Sequence, residues 1–593
     1  MADSYFETDD ITKEYDSRIV KRILSYLKPY KKLVVFTITA LVISTFCELV
    51  MPLLLQRIID DGIMIKNVSF LIQGCILYLI MLLCAFIFTF TQTWTANLMT
   101  QNVMKDMRLE LFKNTISQST SFLSRHPVGR IVTRLTGDVG TMDEFFTTVL
   151  VAFLKDISIM AGSIVTMFIL SPALAAVVFI TLPPVLAASF ISRIKARDAF
   201  RRQRTASSKV FAYLAERLAG MQVVQLFRQE KRSLQEFKKS NSELLDANLG
   251  EMYVFAVFRP LVEWFSTLTV AAVIVAGSRM ALSASISLGT LIAFINLVQM
   301  FFQPVTDIAE KYTMLQSAMA GGEKVFKLMD TDEYIPDTGR QDISGASPFG
   351  SGLVEFKNVH FAYKKGEDVL KGLNFSINPG EMAAIVGYTG AGKTTIINVL
   401  SRLWDIDAGE IRLDGIPVKN IPLDKLRRCI MPVMQDVTLF SGTIEENISL
   451  GLDLTHEEAV NAAKTVHAHE FIVNLPDGYK TVLSERAANI STGQRQLISF
   501  ARVIAHNPRV VILDEATSSI DTETEHLIQM GMKKALAGRT SFVIAHRLST
   551  IKDADRIMVL SNGSLAEEGR HDELIAKGGL YAGLYKLQYS EEI

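Results

Sequence analysis

Residues Gly387–Thr395, GYTGAGKTT, follow the apolar run AAIV and fit the spacing G-x-x-x-x-G-K-[ST]. That spacing suits the cradling of a phosphate chain. Glycines at 387, 390 and 392 let successive backbone N–H groups curl inward around an anion, because a Cβ would block the curl. The helix expected next, TTIINVLSRLW, aims its unpaired N-terminal N–H groups at the same anion. Lys393 adds a charge for the outer phosphates, and the Thr394 hydroxyl is placed to ligate Mg²⁺. Thr389, Ala391 and Thr395 complete the loop expected to contact a nucleotide. A ligand-free Gly-rich turn is the bland alternative, and the residues downstream argue against it.

The second conjunction is RVVILDEATSSID, residues 509–521. Its apolar run ending at Asp514 predicts a buried parallel strand whose tip meets the phosphate loop. Asp514 would hold Mg²⁺ through water, and Glu515 would orient or polarise the attacking water. Phosphoryl transfer is mostly positioning and charge stabilisation, which matches that division of labour. Adjacent acids at a strand end could instead be solvated turn residues. Gln435, after the strand-like start of CIMPVMQDVTLFSGTI, could reach both Mg²⁺ and the water; His546, in SFVIAHRLST, could contact the γ-phosphate. Tyr363, ending LVEFKNVHFAY, is placed to stack on adenine. In ISTGQRQLISFARVIAHNP, Ser491 and Gly493, followed by Gln494, precede an expected helix start, a second anion-binding arrangement. One domain has no use for two γ-phosphate cradles on different surfaces. Two such domains are therefore expected to face each other, each sealing the other's ATP.

These residues need a scaffold, and composition indicates its kind. The 593 residues are 49% hydrophobic with mean hydropathy +0.25, which directs attention to membrane spans. A formal net charge of −1 gives no hint of a nucleic-acid partner. Cys47, Cys75, Cys84 and Cys429 sit in no metal-ligand spacing and suggest no disulfide framework. The N-terminus MADSYFETDDITKEYD is acidic and polar, so no cleavable signal peptide is expected. Apolar segments of spanning length lie at roughly 33–55, 69–94, 145–170, 172–194, 252–277 and 286–306. The loops 95–144 and 193–239 are rich in Lys and Arg, which places them and both termini on the cytoplasmic side of the cell membrane. Both loops look helical, each broken near its middle, at Pro127 and Gly129 and at Gly220. Those breaks could pack among themselves or dock on the nucleotide domain. Residues 17–31 suit an amphipathic helix on the membrane surface.

Glu48, Lys155, Asp156, Arg259, Glu263, Gln299 and Gln303 fall inside the spans, where such groups usually face a cavity or a partner. Arg259 and Glu263 have i,i+4 spacing and could pair. Glu48 and Asp156 have no obvious local partner, and could line a substrate path or pair between helices. Phe86, Phe88, Phe90, Met300, Phe301 and Phe302 could form an adaptable apolar wall or face lipid. The organisation expected is an all-α transmembrane domain of six helices over 1–320, a linker over 321–351, and an α/β P-loop ATPase domain over 352–593.

The ordered set of Tyr363, GYTGAGKT, Gln435, ISTGQRQ, VVILDE, Asp521 in SSID and His546 resembles an ATP-binding cassette (ABC) exporter half-transporter, over nearly the whole chain. The resemblance implies a domain-swapped bundle, with coupling helices near 121–129 and 213–222 and a second half-transporter as partner. It also implies alternating access driven by ATP and Mg²⁺, with membrane lipids around the spans and an amphipathic small molecule as multidrug-type cargo. A dedicated exporter of a lipid, peptide or siderophore shares this architecture, and an ATP-gated channel or signalling protein is the alternative from another class. One departure stands out. Where the family's usual signature is LSGGQ, this chain has Ile490-Ser491-Thr492-Gly493-Gln494. In similar exporters an altered signature beside an intact catalytic Glu goes with a heterodimer, which is favoured here; a tolerated variant in a homodimer is the other possibility.

Overall fold

The computed structural model describes residues 17–283, 285–337, 339, 350–514, 522–544 and 548–589. The chain divides into two compact units, one from Met1–Ile116 and Pro127–Thr331, the other from Ser117–His126 and Asp332–Ile593.

The first unit is helical: α1 (Ser17–Ser25), α2 (Lys31–Arg57) and α3 (Val68–Ser117), then α5 (Val151–Leu170), α6 (Pro172–Ala219), α7 (Met221–Leu226), α8 (Glu230–Leu282) and α9 (Leu288–Met329). The short α4 (Thr120–Arg125) belongs to the second unit. Among the described residues six stretches are long and apolar enough to cross a membrane: Lys28–Met64, Val68–Ser117, Val128–Leu170, Pro172–Ala219, Glu230–Leu282 and Leu288–Val305. The 50 residues of α3 extend about 75 Å, against about 30 Å of hydrocarbon, so the helix continues far past its apolar part.

The turn between the third and fourth spans is tight because Ser171 caps α6, its hydroxyl accepting from the Leu174 N–H, while Pro172 fills the first turn, where no N–H is needed. Gly220 ends α6 and starts α7, so the second cross-helix is Met221–Leu226, shifted C-terminal to the expected 213–222. The expected linker also starts later. Residues 321–329 continue α9, because AMAGGEKVFKLM carries no helix breaker stronger than its glycine pair.

Apolar packing among α5, α6, α8 and α9 buries Met167, Leu174, Val178, Phe258, Val262, Phe294, Phe301 and Phe302. Phe301 and Phe302 are thus core residues, whereas Phe86 and Phe90 are exposed on this chain. Three charged residues of the spans find partners between helices. Lys155 Nζ donates to Glu48 at 2.8 Å, and Lys311 pairs with Asp156. Glu48 and Asp156 therefore do have partners, on helices far away in sequence. Arg259 and Glu263 are both exposed, and no ion pair joins them among the described residues. One side of α1 packs on α9, while Leu24 stays exposed. Ile23 is buried, Tyr26 stacks on Phe326 at 6.2 Å, and the Arg22 guanidinium lies 4.3 Å above the same ring while gripping Asp330 at 2.5 and 2.7 Å.

The second unit is α/β. Strands β1 (Val354–Ala362), β2 (Asp368–Ile377), β4 (Ala408–Leu413) and β5 (Ile416–Pro417) form an antiparallel sheet in the order β2-β1-β4-β5. A six-stranded sheet runs β12-β11-β3-β10-β9-β6, from β3 (Met382–Gly387), β6 (Ile430–Val433), β9 (Val510–Asp514), β10 (Thr540–Ile544), β11 (Arg556–Ser561) and β12 (Ser564–Gly569). All its neighbours are parallel except β11 and β12, and β7 (Gly442–Thr443) and β8 (Val482–Leu483) make a separate short ladder. Strands β9 and β10 are buried along almost their whole length, as their unbroken apolar runs require of a sheet covered on both faces. Four helices matter for the site: α10 (Lys393–Leu400), α11 (Leu423–Cys429), α12 (Thr492–His506) and α13 (Thr522–Leu536).

Candidate functional site

Sheet register fixes the first two parts of the site. Ile544 of β10 lies opposite Ile385 of β3 on one side and opposite Asp514 of β9 on the other. Asp514 therefore stands at the same level as the end of β3, where the phosphate loop begins. The loop itself can only be Gly-rich. A Cβ on Gly387 would lie 2.4 Å from the Leu560 carbonyl oxygen, and Gly392 at φ 101° starts α10 from the left-handed region. Thr389 and Gly390 are exposed in the loop, Ala391 and Thr395 are buried beneath it, and Thr394 is exposed in the first turn of α10.

Lys393 curls back over this loop. Its Nζ donates to the carbonyls of Gly387 at 2.7 Å and Tyr388 at 3.1 Å. Burial pushes its ammonium below the ordinary lysine range, opposed by the charge of Asp514. An anionic ligand in the loop would offer this cation a stronger acceptor than two neutral carbonyls.

Tyr363 is held by residues that the sequence reading left without a role. Asn398 Nδ2 donates to its hydroxyl at 2.9 Å, the hydroxyl donates to Thr395 Oγ1 at 3.3 Å, and Trp404 and Phe361 meet the ring edge-on, each at 4.8 Å. The ring is thus tied to α10 yet stays 41% exposed, which leaves surface for a planar ligand. The sequence signal was TTIINVLSRLW itself, which carries both Asn398 and Trp404.

Gln435 is exposed just beyond β6, which pairs with β9 from Ile430↔Val510 to Val433↔Leu513. Glu515, Asp521 and His546 lie outside the described residues. A hard divalent cation fits what is described: an exposed Thr394 hydroxyl, the Asp514 carboxylate and the Gln435 amide are oxygen donors suited to Mg²⁺.

The second anion arrangement needs a correction. Gly493 does not precede the helix; it sits in the first turn of α12, with Ser491 as the cap. Ser491 and Gln494 form a reciprocal capping box: the Gln494 N–H donates to Ser491 Oγ at 3.2 Å and the Ser491 N–H to Gln494 Oε1 at 3.0 Å. The N–H groups of Thr492 and Gly493 are left without a helical acceptor. Gly493 is needed for packing, since a Cβ there would come within 2.3 Å of Thr524 Cγ2 on α13. Thr492 turns its hydroxyl along the helix to accept from Arg495 Nη2 at 2.9 Å, and Arg495 Nη1 holds the Ile490 carbonyl at 3.0 Å.

Comparison with known proteins agrees with both halves of this arrangement. The ABC transporter transmembrane region family matches residues 34–305, and the ABC transporter family of ATP-binding domains matches 370–518. The chain is 38% identical to the ABC transporter ATP-binding protein YknV of Bacillus subtilis, over 99% of this chain and 98% of that one. It is 32% identical to the ATP-dependent lipid A-core flippase of Syntrophus aciditrophicus, over 97% and 95%. It is also 35% identical to the fatty acid ABC transporter ATP-binding/permease protein of Mycobacterium bovis, over 85% and 79%.

Proposed function

The chain belongs to the ABC transporter family, and from that premise we propose that it is one half of an exporter that uses ATP to move amphipathic molecules out through the cell membrane. It is an ABC exporter of the lipid, fatty acid or multidrug type. The observation that carries the proposal is the phosphate loop with Lys393 folded over it and Asp514 level with its base, in one chain with six membrane-spanning stretches.

In this reading the loop N–H groups and Lys393 bind the phosphates of ATP, and Tyr363, braced by Asn398 and Trp404, stacks on adenine. Thr394, Asp514 and Gln435 would hold Mg²⁺, which neutralises charge developing on the phosphates when bound. Glu515 orients the attacking water, His546 contacts the γ-phosphate and Asp521 lies at the seam with the partner. Ser491, Gly493 and Gln494 close on the partner's nucleotide. ATP closes the paired domains, the cross-helices α4 and α7 transmit closure, and the membrane cavity changes the side it faces. Both termini and the nucleotide domain lie in the cytoplasm. The cargo we favour is a multidrug-type amphipath; a dedicated lipid or fatty-acid substrate is suggested by the names of two relatives.

The altered signature favours a heterodimer, in which this subunit supplies its phosphate loop, Glu515 and His546 to the fully competent site. One observation favours the homodimer instead: the Thr492 hydroxyl is drawn aside by Arg495, and the first N–H groups of α12 remain open. Purifying the chain without a partner separates the two. The heterodimer reading expects little ATP hydrolysis; robust hydrolysis that cargo stimulates refutes it.

A further inference from the structure

We propose that Glu333, in the linker after α9, is the positioning residue that makes the first cross-helix move with the nucleotide unit. This rests on the exporter reading above. Glu333 engages both ends of α4. Its carbonyl accepts from the Ser119 N–H at 2.8 Å, and its own N–H donates to Gln118 Oε1 at 2.9 Å. Its carboxylate pairs with Arg125 in the last turn of the same helix. Ser119 is also the cap of α4, its hydroxyl accepting from the Phe122 N–H at 3.3 Å. A single linker residue thus fixes the cap and the last turn of a six-residue helix.

The linker is then fastened to the nucleotide unit within a few residues. The Pro336 carbonyl accepts from Arg402 Nη2 at 3.1 Å; Arg402 is 1% exposed, lies just beyond the end of α10, and is held through Nε by Asp405 at 2.9 Å. Asp337 Oδ1 accepts from the Leu423 N–H at 3.1 Å, at the start of α11. At Gly339 a Cβ would lie 2.2 Å from the Ile421 carbonyl carbon, so the linker is pressed against the chain entering α11. Helix α10 begins at the phosphate loop, and α11 leads directly into β6 and Gln435. Glu333 therefore joins α4 to the two elements that hold the nucleotide, with only three residues of chain between Glu333 and Asp337 to limit slack.

Hydrogen exchange on the full assembled chain in lipid nanodiscs, with and without ATP and vanadate, tests this. Two segments report: 387–400 for nucleotide binding, and 117–126 for the clip. In the wild type, ATP should protect both. Arg125→Glu and Glu333→Arg should each leave ATP protection of 387–400 unchanged and speed exchange of 117–126 about threefold without nucleotide, the scale expected of an exposed ion pair. Each should also remove most of the ATP response of 117–126, and the combined reversal should restore it. A wild-type response of 117–126 in both single variants, or a double reversal that behaves like the singles, overturns the proposal. No ATP protection of 387–400 in the wild type would overturn the nucleotide-site reading, and this proposal with it.

Discussion

Gly493→Ala separates two reasons for the same glycine. An added Cβ would lie 2.3 Å from Thr524 Cγ2 and 3.3 Å from Ile528 Cδ1. Carbon atoms settle at about 3.5–4.0 Å, so α12 and α13 would have to part by about 1 Å. Overpacking of this kind costs about 1–3 kcal/mol, and alanine returns about 1 kcal/mol through its better helix propensity. The expected net loss is about 0–2 kcal/mol, read as a fall of up to several degrees in the unfolding midpoint of the nucleotide unit, followed in the detergent-solubilised full chain. Thr524→Ala removes the opposing methyl, so Gly493→Ala/Thr524→Ala should regain most of the loss. If packing is the whole role, ATP turnover returns with stability. If stability returns and turnover does not, Gly493 also acts on the nucleotide. A Gly493→Ala midpoint that Thr524→Ala fails to raise would refute the packing argument.

Other perturbations probe separate parts of the molecule. Lys393→Ala should weaken binding of a fluorescent ATP analogue at least about tenfold, since it deletes a charge-assisted contact in a half-buried site. Lys155→Ala leaves Glu48 unpaired inside a span and should lower the solubilised chain's stability by about 1–3 kcal/mol, less than for a fully buried pair because both side chains keep some exposure. Glu48→Gln/Lys155→Gln, which removes both charges, should cost less in the same thermal melt. Burial holds the His506 imidazole below the ordinary histidine range, against its bond to the Ser449 carbonyl at 3.0 Å and with the charges of Arg502 and Arg428 adding to the depression. The folded state thus binds its proton less readily than the unfolded chain. His506 contributes stability fully above about pH 6.5, and loses it as pH falls through the lower folded value. His506→Gln should flatten that part of a melting-temperature profile between pH 5 and 8.

Local signals made much of the fold legible. Apolar runs of spanning length located the membrane helices, because lipid demands continuous apolar helix. The spans at 145–170 and 172–194 left room for only a tight turn between them, and VVIL ending at Asp514 marked a buried strand. What escaped was long-range. Glu48 looked unpartnered because Lys155 approaches from another helix, and no spacing rule reaches that far. That α1 also meets Phe326 of α9 and Asp330 just beyond it could not be read from its own periodicity. Gly493 was read as an anion contact because the motif places it at a helix start, whereas the close approach of Thr524 depends on packing between α12 and α13. The linker starts later than expected because helix propensity alone does not say where a helix stops after its apolar part.

Uptake into inside-out membrane vesicles tests the central claim most directly. A fluorescent amphipathic dye should accumulate against its gradient when ATP and Mg²⁺ are supplied to wild-type protein. It should not accumulate with a non-hydrolysable ATP analogue, nor with Glu515→Gln, which should still bind ATP. Equal entry with the analogue, or with no nucleotide at all, would contradict ATP-driven export.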